Sequence, residues 1–356
     1  MEPVERFSFI QVAEEAEETE VGSGFALGGF LAALRRGEFR YRVQQSAFYL
    51  FLLFLATQIA SVVFALVDSQ RFNYLSRANV STALATVPLL GITTLGVGLL
   101  MIGGEFDLSV GSNYILSSII MALLAEHGIN LYLAALVGLG IGTGIGWLNS
   151  VITLRLRIPS FIATLGTMGI WEAATLLYSG AGSRSLTPTG SFRVLTSGQI
   201  GWVPAGFFWM LGLGVAFWLL LQHHYIGNRI FAAGGDKTAA VASGVNVNRA
   251  KMVAFILAGT CAAFAGIIGA SQIGTVSPGS ETDLPLQAIA AAVIGGLALY
   301  GGRGTIIGML IGASLIYWIE DVLLLLGAPG YYLTAFVGAL TIMAVALYEF
   351  IRRHQK

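Results

Sequence analysis

Apolar runs about as long as a bilayer is thick recur along this chain, and they constrain its fold more than any other feature. A helix needs about 20 apolar residues to cross the hydrocarbon core. Runs of that order lie near 48–67, 80–102, 108–125, 130–153, 160–179, 206–222, 252–272, 285–300, 304–326 and 332–350. The pattern predicts an all-α, polytopic membrane protein with about ten transmembrane helices, the third and eighth being short. Only 11% of the residues are charged, against about 25% in soluble domains. A chain this apolar cannot cover itself with polar surface in water, so its solvent is membrane lipid.

Orientation follows from where Lys and Arg fall, because cytoplasmic loops retain them. With the N-terminus inside, 15 of the 19 basic residues lie on the inner side; Arg71, Arg77, Arg184 and Arg193 lie outside. Both termini are therefore expected in the cytoplasm. Residues 1–44 read as a cytoplasmic tail: an acidic stretch at 14–20, then an interfacial helix over 25–42. In that helix Phe25, Leu27, Phe30, Leu31 and Leu34 precede Arg35, Arg36, Arg40 and Arg42. No secretory signal peptide is expected there. Residues 45–356 read as the transmembrane domain, with a cytoplasmic loop at 223–251.

Several function classes are disfavoured. No cluster of His, Asp or Glu suggests catalysis, a metal site or a cofactor. His127, His223, His224 and His354 all sit at predicted helix ends, and Cys261 is the single cysteine. There is no phosphate-binding loop; Gly234-Gly235-Asp236-Lys237-Thr238 lacks the spacing. The chain is therefore not expected to hydrolyse ATP. Its net charge of zero gives no electrostatic reason to expect a nucleic acid partner.

Small residues recur at every fourth position in three runs: Gly138, Gly142 and Gly146; Ala258, Ala262, Gly266 and Ala270; Gly304, Gly308 and Gly312. Each set shares one helix face and predicts a close packing seam.

Two segments point further. Gly103-Gly104-Glu105-Phe106-Asp107-Leu108-Ser109-Val110-Gly111-Ser112 interrupts the pattern between the second and third runs. Two glycines break a helix, and Asp107 or Ser109 can cap the next one. This is either a capped turn at the interface or a lining of a solute pathway, since interrupted helices line pathways in transporters. In the loop 223–251, Asp236 can cap a short helix over 237–243 and Gly244 can end it. Asn248 can then cap the following span. Such a helix suits docking to a partner, or it is a solvated connector. Glu172, Glu320 and Asp321 are charges within or beside apolar runs. Glu320 and Asp321, toward the outer end of the ninth run, are compatible with a wet vestibule.

These segments are also recognisable. The stretch Gly103–Ser112 resembles the G-G-x-[IF]-D-L-S-V-G-S signature of ribose/xylose-type permeases of bacterial ABC importers. Ile158-Pro159-Ser160-Phe161-Ile162-Ala163-Thr164-Leu165-Gly166-Thr167-Met168 resembles a second stretch of that family. Gly234-Gly235-Asp236, Ala239-Ala240 and Ser243-Gly244-Val245 resemble its cytoplasmic coupling loop, with Asp236 in place of the usual Asn. Gly295-Gly296 and Gly301-Gly302-Arg303-Gly304-Thr305 resemble a later stretch. The likeness covers residues 45–350. It implies a permease subunit paired with a second copy or a paralogue, driven by a separate cytoplasmic ATPase. A periplasmic binding protein would deliver the sugar. It makes Glu105, Phe106, Asp107 and Ser109 candidates for the pathway. Gly234, Gly235, Asp236, Ala239, Ala240, Ser243 and Gly244 become candidates for coupling. The substrate within that family is a monosaccharide, or another small polar solute such as a polyol, nucleoside or signalling sugar. A self-sufficient ion-coupled transporter is the rival, disfavoured by the few charges inside the runs.

Overall fold

The computed structural model describes residues 38–67, 72–329 and scattered positions from 331 to 346. The acidic stretch at 14–20, most of the expected interfacial helix and most of the tenth run lie outside the described residues. The described residues from Tyr49 onward form one compact unit.

The described part is almost entirely helical. Helix α1 spans Glu38–Val67 without a break, α2 Arg77–Ile102, α3 Val110–Glu126, α4 Leu131–Arg155, α5 Ser160–Ser179 and α6 Gly190–Thr196. Then follow α7 Ala205–His223, α8 Tyr225–Gly235, α9 Lys237–Ala242, α10 Val247–Ile273, α11 Leu284–Ile294 and α12 Ile306–Leu325. Two minimal antiparallel ladders join loops: β1 (Arg184–Ser185) with β4 (Thr275–Val276), and β2 (Gln199–Ile200) with β3 (Val203–Pro204).

Six of these helices, α2, α4, α5, α7, α10 and α12, are long and apolar enough to cross a membrane. The third run forms a helix of 17 residues, close to its expected length, but the eighth forms a much shorter helix than its hydropathy suggested. Helix α11 has 11 residues, about 16 Å at 1.5 Å per residue, against a hydrocarbon core of about 30 Å. The helix ends at Gly295-Gly296 although the apolar run continues, and residues 295–305 are not helical. Non-helical backbone at membrane depth is tolerated only where protein or a wet cavity surrounds it.

Helices α2 and α10 form the centre. Most of each is buried, while less than a third of the apolar stretch of α4, α5 or α7 is. The outward faces carry large apolar side chains, among them Leu136, Phe161, Leu165, Val215 and Leu219, as lipid contact requires. The small-residue stripes are packing seams. A Cβ on Gly146 would overlap the Phe255 carbonyl, and one on Gly259 the Gly142 carbonyl, so α4 and α10 touch backbone to backbone. Gly266 is pressed in the same way against the Tyr114 carbonyl of α3. Gly308 and Gly312 of α12 lie against the Gly295 and Ala291 carbonyls of α11. With lipid outside, such close packing replaces the hydrophobic effect as the source of helix association.

The seam predicts a contrast on one helix. At Gly142 a side chain would meet Ala263 and Asn113, whereas at Gly144 nothing lies within 4 Å. Gly142→Leu should lower the thermal midpoint in detergent, because overpacking costs about 1–3 kcal/mol or more. Gly144→Leu should leave it unchanged. Equal midpoints for both variants would mean that α4 and α10 are not in contact.

Candidate functional site

The helix break begins where α2 ends at Gly103. Gly104 adopts φ 79°, a left-handed conformation that favours glycine. It turns the chain inward while its N–H still bonds to the Met101 carbonyl at 2.9 Å. The four residues from Glu105 to Leu108 then lack a helical ladder, so their polar groups need other partners. Helix α5 supplies them. Ser160 Oγ accepts the Phe106 N–H at 3.1 Å and Thr164 Oγ1 accepts the Leu108 N–H at 3.0 Å.

Asp107 completes the arrangement. It is 1% exposed. Its Oδ1 accepts from the Ser109 N–H at 2.8 Å and the Ser109 hydroxyl at 2.6 Å; its Oδ2 accepts from Asn149 Nδ2 at 3.1 Å. Asn149 Nδ2 also donates to Ser109 Oγ at 2.7 Å, and Thr167 Oγ1 donates to Asn149 Oδ1 at 2.8 Å. Asp107 therefore stabilises the turn leading into α3 rather than bonding the helix itself. Ser109 occupies the N-cap position with no side-chain cap bond. In this conformation Asp107 and Ser109 are buried, and Glu105 and Phe106 are the partly exposed members of the four.

The loop 223–251 folds as short helices. Asp236 Oδ1 accepts from the Thr238 and Ala239 N–H groups at 2.8 and 3.0 Å. That cap starts α9, which ends at Ala242, followed by Gly244 at φ 77°. The next helix is capped by Asn246, not by Asn248 as the sequence suggested: its Oδ1 accepts the Arg249 N–H at 3.0 Å. The faces of α9 are also resolved. Ala239 and Ser243 are exposed and Val241 is 58% exposed, but Ala240 is 4% exposed and packs into the core. A bulky residue at Ala240 would therefore overpack the interior, so Ala239 is the place to probe the outer face. The paired histidines have local roles. His224 Nδ1 accepts the Ile226 N–H at the start of α8, and the His223 ring lies 4.9 Å from that of Trp218.

What the sequence does not reveal is that these segments meet. Three glycine pairs, Gly103-Gly104, Gly234-Gly235 and Gly301-Gly302, cross in backbone contact. A Cβ on Gly301 would come within 2.9 Å of Gly104 Cα and 3.0 Å of Gly234 Cα. One on Gly302 would come within 2.5 Å of Gly235 Cα. The Gly302 N–H bonds to the Ile102 carbonyl, the last residue of α2, at 2.8 Å. Beside this crossing, Lys251 Nζ lies 2.6 Å from Glu105 Oε1. A cavity of about 670 Å³ opens here, walled by Glu105, Arg157, Ser160, Lys237, Val241 and Lys251 among others.

Asn149, Ser160, Thr164, Thr167 and Lys251 were assigned no role from the sequence. The one available signal was the spacing of Ser160, Thr164 and Thr167, which shares a face of an otherwise apolar helix. At the opposite end of the bundle the two acids of α12 are held by polar neighbours. Asp321 accepts from Asn79 Nδ2 at 2.9 Å and Glu320 accepts from Gln287 Nε2 at 2.8 Å. In the loop before α11, burial pushes the Glu281 carboxyl up to about 7.

Comparison with known proteins fits this architecture. Residues 79–345 match the family described as branched-chain amino acid transport system, permease component. The autoinducer 2 import system permease protein LsrC of Enterobacter sp. (strain 638) is 35% identical over 289 residues, 80% of this chain and 83% of that one. The ribose import permease protein RbsC of Escherichia coli K12 is 32% identical over 292 residues, 80% of this chain and 89% of that one. An inward-facing putative metal-chelate type ABC transporter covers 86% of this chain and 99% of its own at 19% identity and a TM-score of 0.49, too distant to add to the argument. The family match spans both the helix break and the glycine crossing, and the chain belongs to this family of transport-system permease components: it is a multi-pass, non-catalytic membrane subunit of an ABC importer.

Proposed function

We propose that this chain forms the transmembrane pathway for a ribose-like monosaccharide, or for a signalling sugar of the autoinducer 2 kind. A separate ATPase drives it from the end where α8, α9 and the glycine crossing lie. The observation that carries this reading is the direct contact between the loop 223–251 and the helix break. The end of α8 touches, through Gly234, the segment that interrupts α2 and α3, and the Asp236-capped surface helix α9 follows it directly. A partner that moves the loop thereby moves the break. Glu105, Phe106, Asp107 and Ser109 form the moving pathway element. Gly234, Gly235, Asp236, Ala239, Ser243 and Gly244 form the coupling element, with Ala240 anchoring it from inside.

The same end is the cytoplasmic one in this reading. Among the described residues it gathers Arg155, Arg157, Arg229, Lys237, Arg249, Lys251 and Arg303, against Arg77, Arg184 and Arg193 at the other. That bias agrees with the positive-inside rule. About ten crossings with both termini inside follow. Two such permeases, identical or paralogous, pair in the inner membrane, and a periplasmic binding protein delivers the solute.

Reconstitution tests the proposal. Proteoliposomes holding the permease with its ATPase should take up the sugar only with ATP and loaded binding protein. Uptake by the chain alone on an ion gradient would replace this reading with a secondary transporter. A cysteine at Lys237 should be protected in sealed cells from an impermeant external thiol reagent. Labelling there would reverse the topology.

A further inference from the structure

We infer that Lys251 and Glu105 form an ionic strut that carries movement of the loop into the helix break, so that Glu105 is a coupling contact and not a contact to the solute. The inference rests on the transport reading above and adds a residue, Lys251, that neither the motifs nor the comparisons single out.

The position of each partner carries the argument. Lys251 lies in the second turn of α10, two residues after the N–H that Asn246 caps. Only four residues, Ser243–Asn246, separate α9 from α10. The Val245 N–H returns to the Ala240 carbonyl at 2.9 Å, which ties that link to α9. A displacement of α9 is thus handed to the first turns of α10 with little slack. Glu105 stands at the other end of the contact, in the non-helical stretch. Downstream of it, Phe106 and Leu108 are bound to α5, and Asp107 to α4. Upstream, its own N–H bonds to the Leu100 carbonyl at 3.2 Å.

The chemistry of the contact suits the task. The two side chains are 12% and 15% exposed, so water screens the pair weakly and separating it strands two charges. The glycine crossing beside it is contact between uncharged backbones. Such contact resists compression but has little hold in the other direction. An ion pair at 2.6 Å resists extension as well, so the break can be pulled as well as pushed. A carboxylate already engaged by an ammonium group has less capacity for sugar hydroxyls.

The test uses the assembled permease, ATPase and binding protein in proteoliposomes, and reads ATP hydrolysed per solute imported. Lys251→Met and Glu105→Gln each remove the strut with little change in shape. Each should raise that ratio about tenfold in complexes that still assemble, with the solute concentration giving half-maximal uptake unchanged. The charge swap K251E/E105K should bring the ratio back toward wild type. A structural role alone would lower hydrolysis and uptake together and leave the ratio fixed. Several results overturn the strut: an unchanged ratio in both single variants, a swap no better than either, or a shifted half-saturation at constant ratio, which would return Glu105 to the solute. Should the single variants assemble poorly, the swap must recover assembly, and failure to do so also overturns it. A wild-type assembly with no ATP-dependent uptake would instead sink the transport reading itself.

Discussion

Gly234→Val should abolish transport, while Gly235→Ala, one residue on, should retain most of it. A side chain at Gly234 would overlap the Ile102 carbonyl and stand 2.8 Å from Gly302 N and 3.0 Å from Gly103 C. All three neighbours are backbone, so none can swing aside like a long side chain. The Ile102 carbonyl is also the acceptor for the Gly302 N–H. Wedging the strands apart therefore breaks that bond as well as the packing. Overpacking a close-packed site costs about 1–3 kcal/mol, occasionally more, and here it falls where three segments meet. At Gly235 the nearest neighbour of a Cβ is Gly302 Cα at 3.8 Å, an ordinary contact. Gly244 provides a third reference. Nothing lies within 4 Å of a Cβ there, but φ is 77°, so Gly244→Ala should carry only the left-handed strain, about 1 kcal/mol. ATP-driven uptake by equal amounts of folded protein would order the three. If Gly234→Val transports as well as Gly235→Ala, the glycine crossing is not part of the working structure.

Asp107→Ala should be the most destabilising single change at the helix break. From the sequence, loss of a helix cap would cost about 1 kcal/mol and impair transport more than folding. The structure raises the expected cost in stability. Three donors point at this carboxylate from within a dry interior: the Ser109 N–H, the Ser109 hydroxyl and the Asn149 amide. Each buried donor left without a partner costs about 1–3 kcal/mol, so the total is on the order of 3 kcal/mol or more. Asp107→Asn should fall between. It keeps an oxygen for Ser109 but turns an NH₂ group toward the Asn149 NH₂, setting donor against donor. Monodisperse yield and thermal midpoint in detergent measure the effect. Wild-type stability in Asp107→Ala would show that the Ser109 and Asn149 groups have other partners in the membrane.

Much of this was legible along the chain. A bilayer imposes a length on every crossing and a sign on every loop, and both are local properties that one sequence displays. The stripes at Gly138, Gly142, Gly146 and at Gly304, Gly308, Gly312 were legible for the same reason, since a four-residue period names a face without naming its partner. The Asp236 cap lies within three residues of the N–H groups it binds, so it too was readable. The choice of Asn246 over Asn248 was not, because both are asparagine, which caps equally well at either position.

The eighth run shows the limit from the other side. Residues 285–300 are apolar enough to span, yet the helix stops at Ile294. Hydropathy measures what tolerates lipid; it does not say which backbone bonds will form. Gly295 fits against the Gly308 carbonyl only in the folded hairpin.

The sequence by itself determined that this chain lives in lipid, how its loops divide by charge, that the chain breaks between the second and third runs and that Asp236 caps α9. Only the tertiary structure decided that the three glycine pairs cross, that Ala240 faces inward, that Ser160, Thr164 and Asn149 hold the break, and that Lys251 reaches Glu105 across 146 positions. The reason is physical. Period, length and charge are written within one or two helical turns, whereas a backbone crossing or an ion pair depends on where distant segments are brought by the packing of all the others.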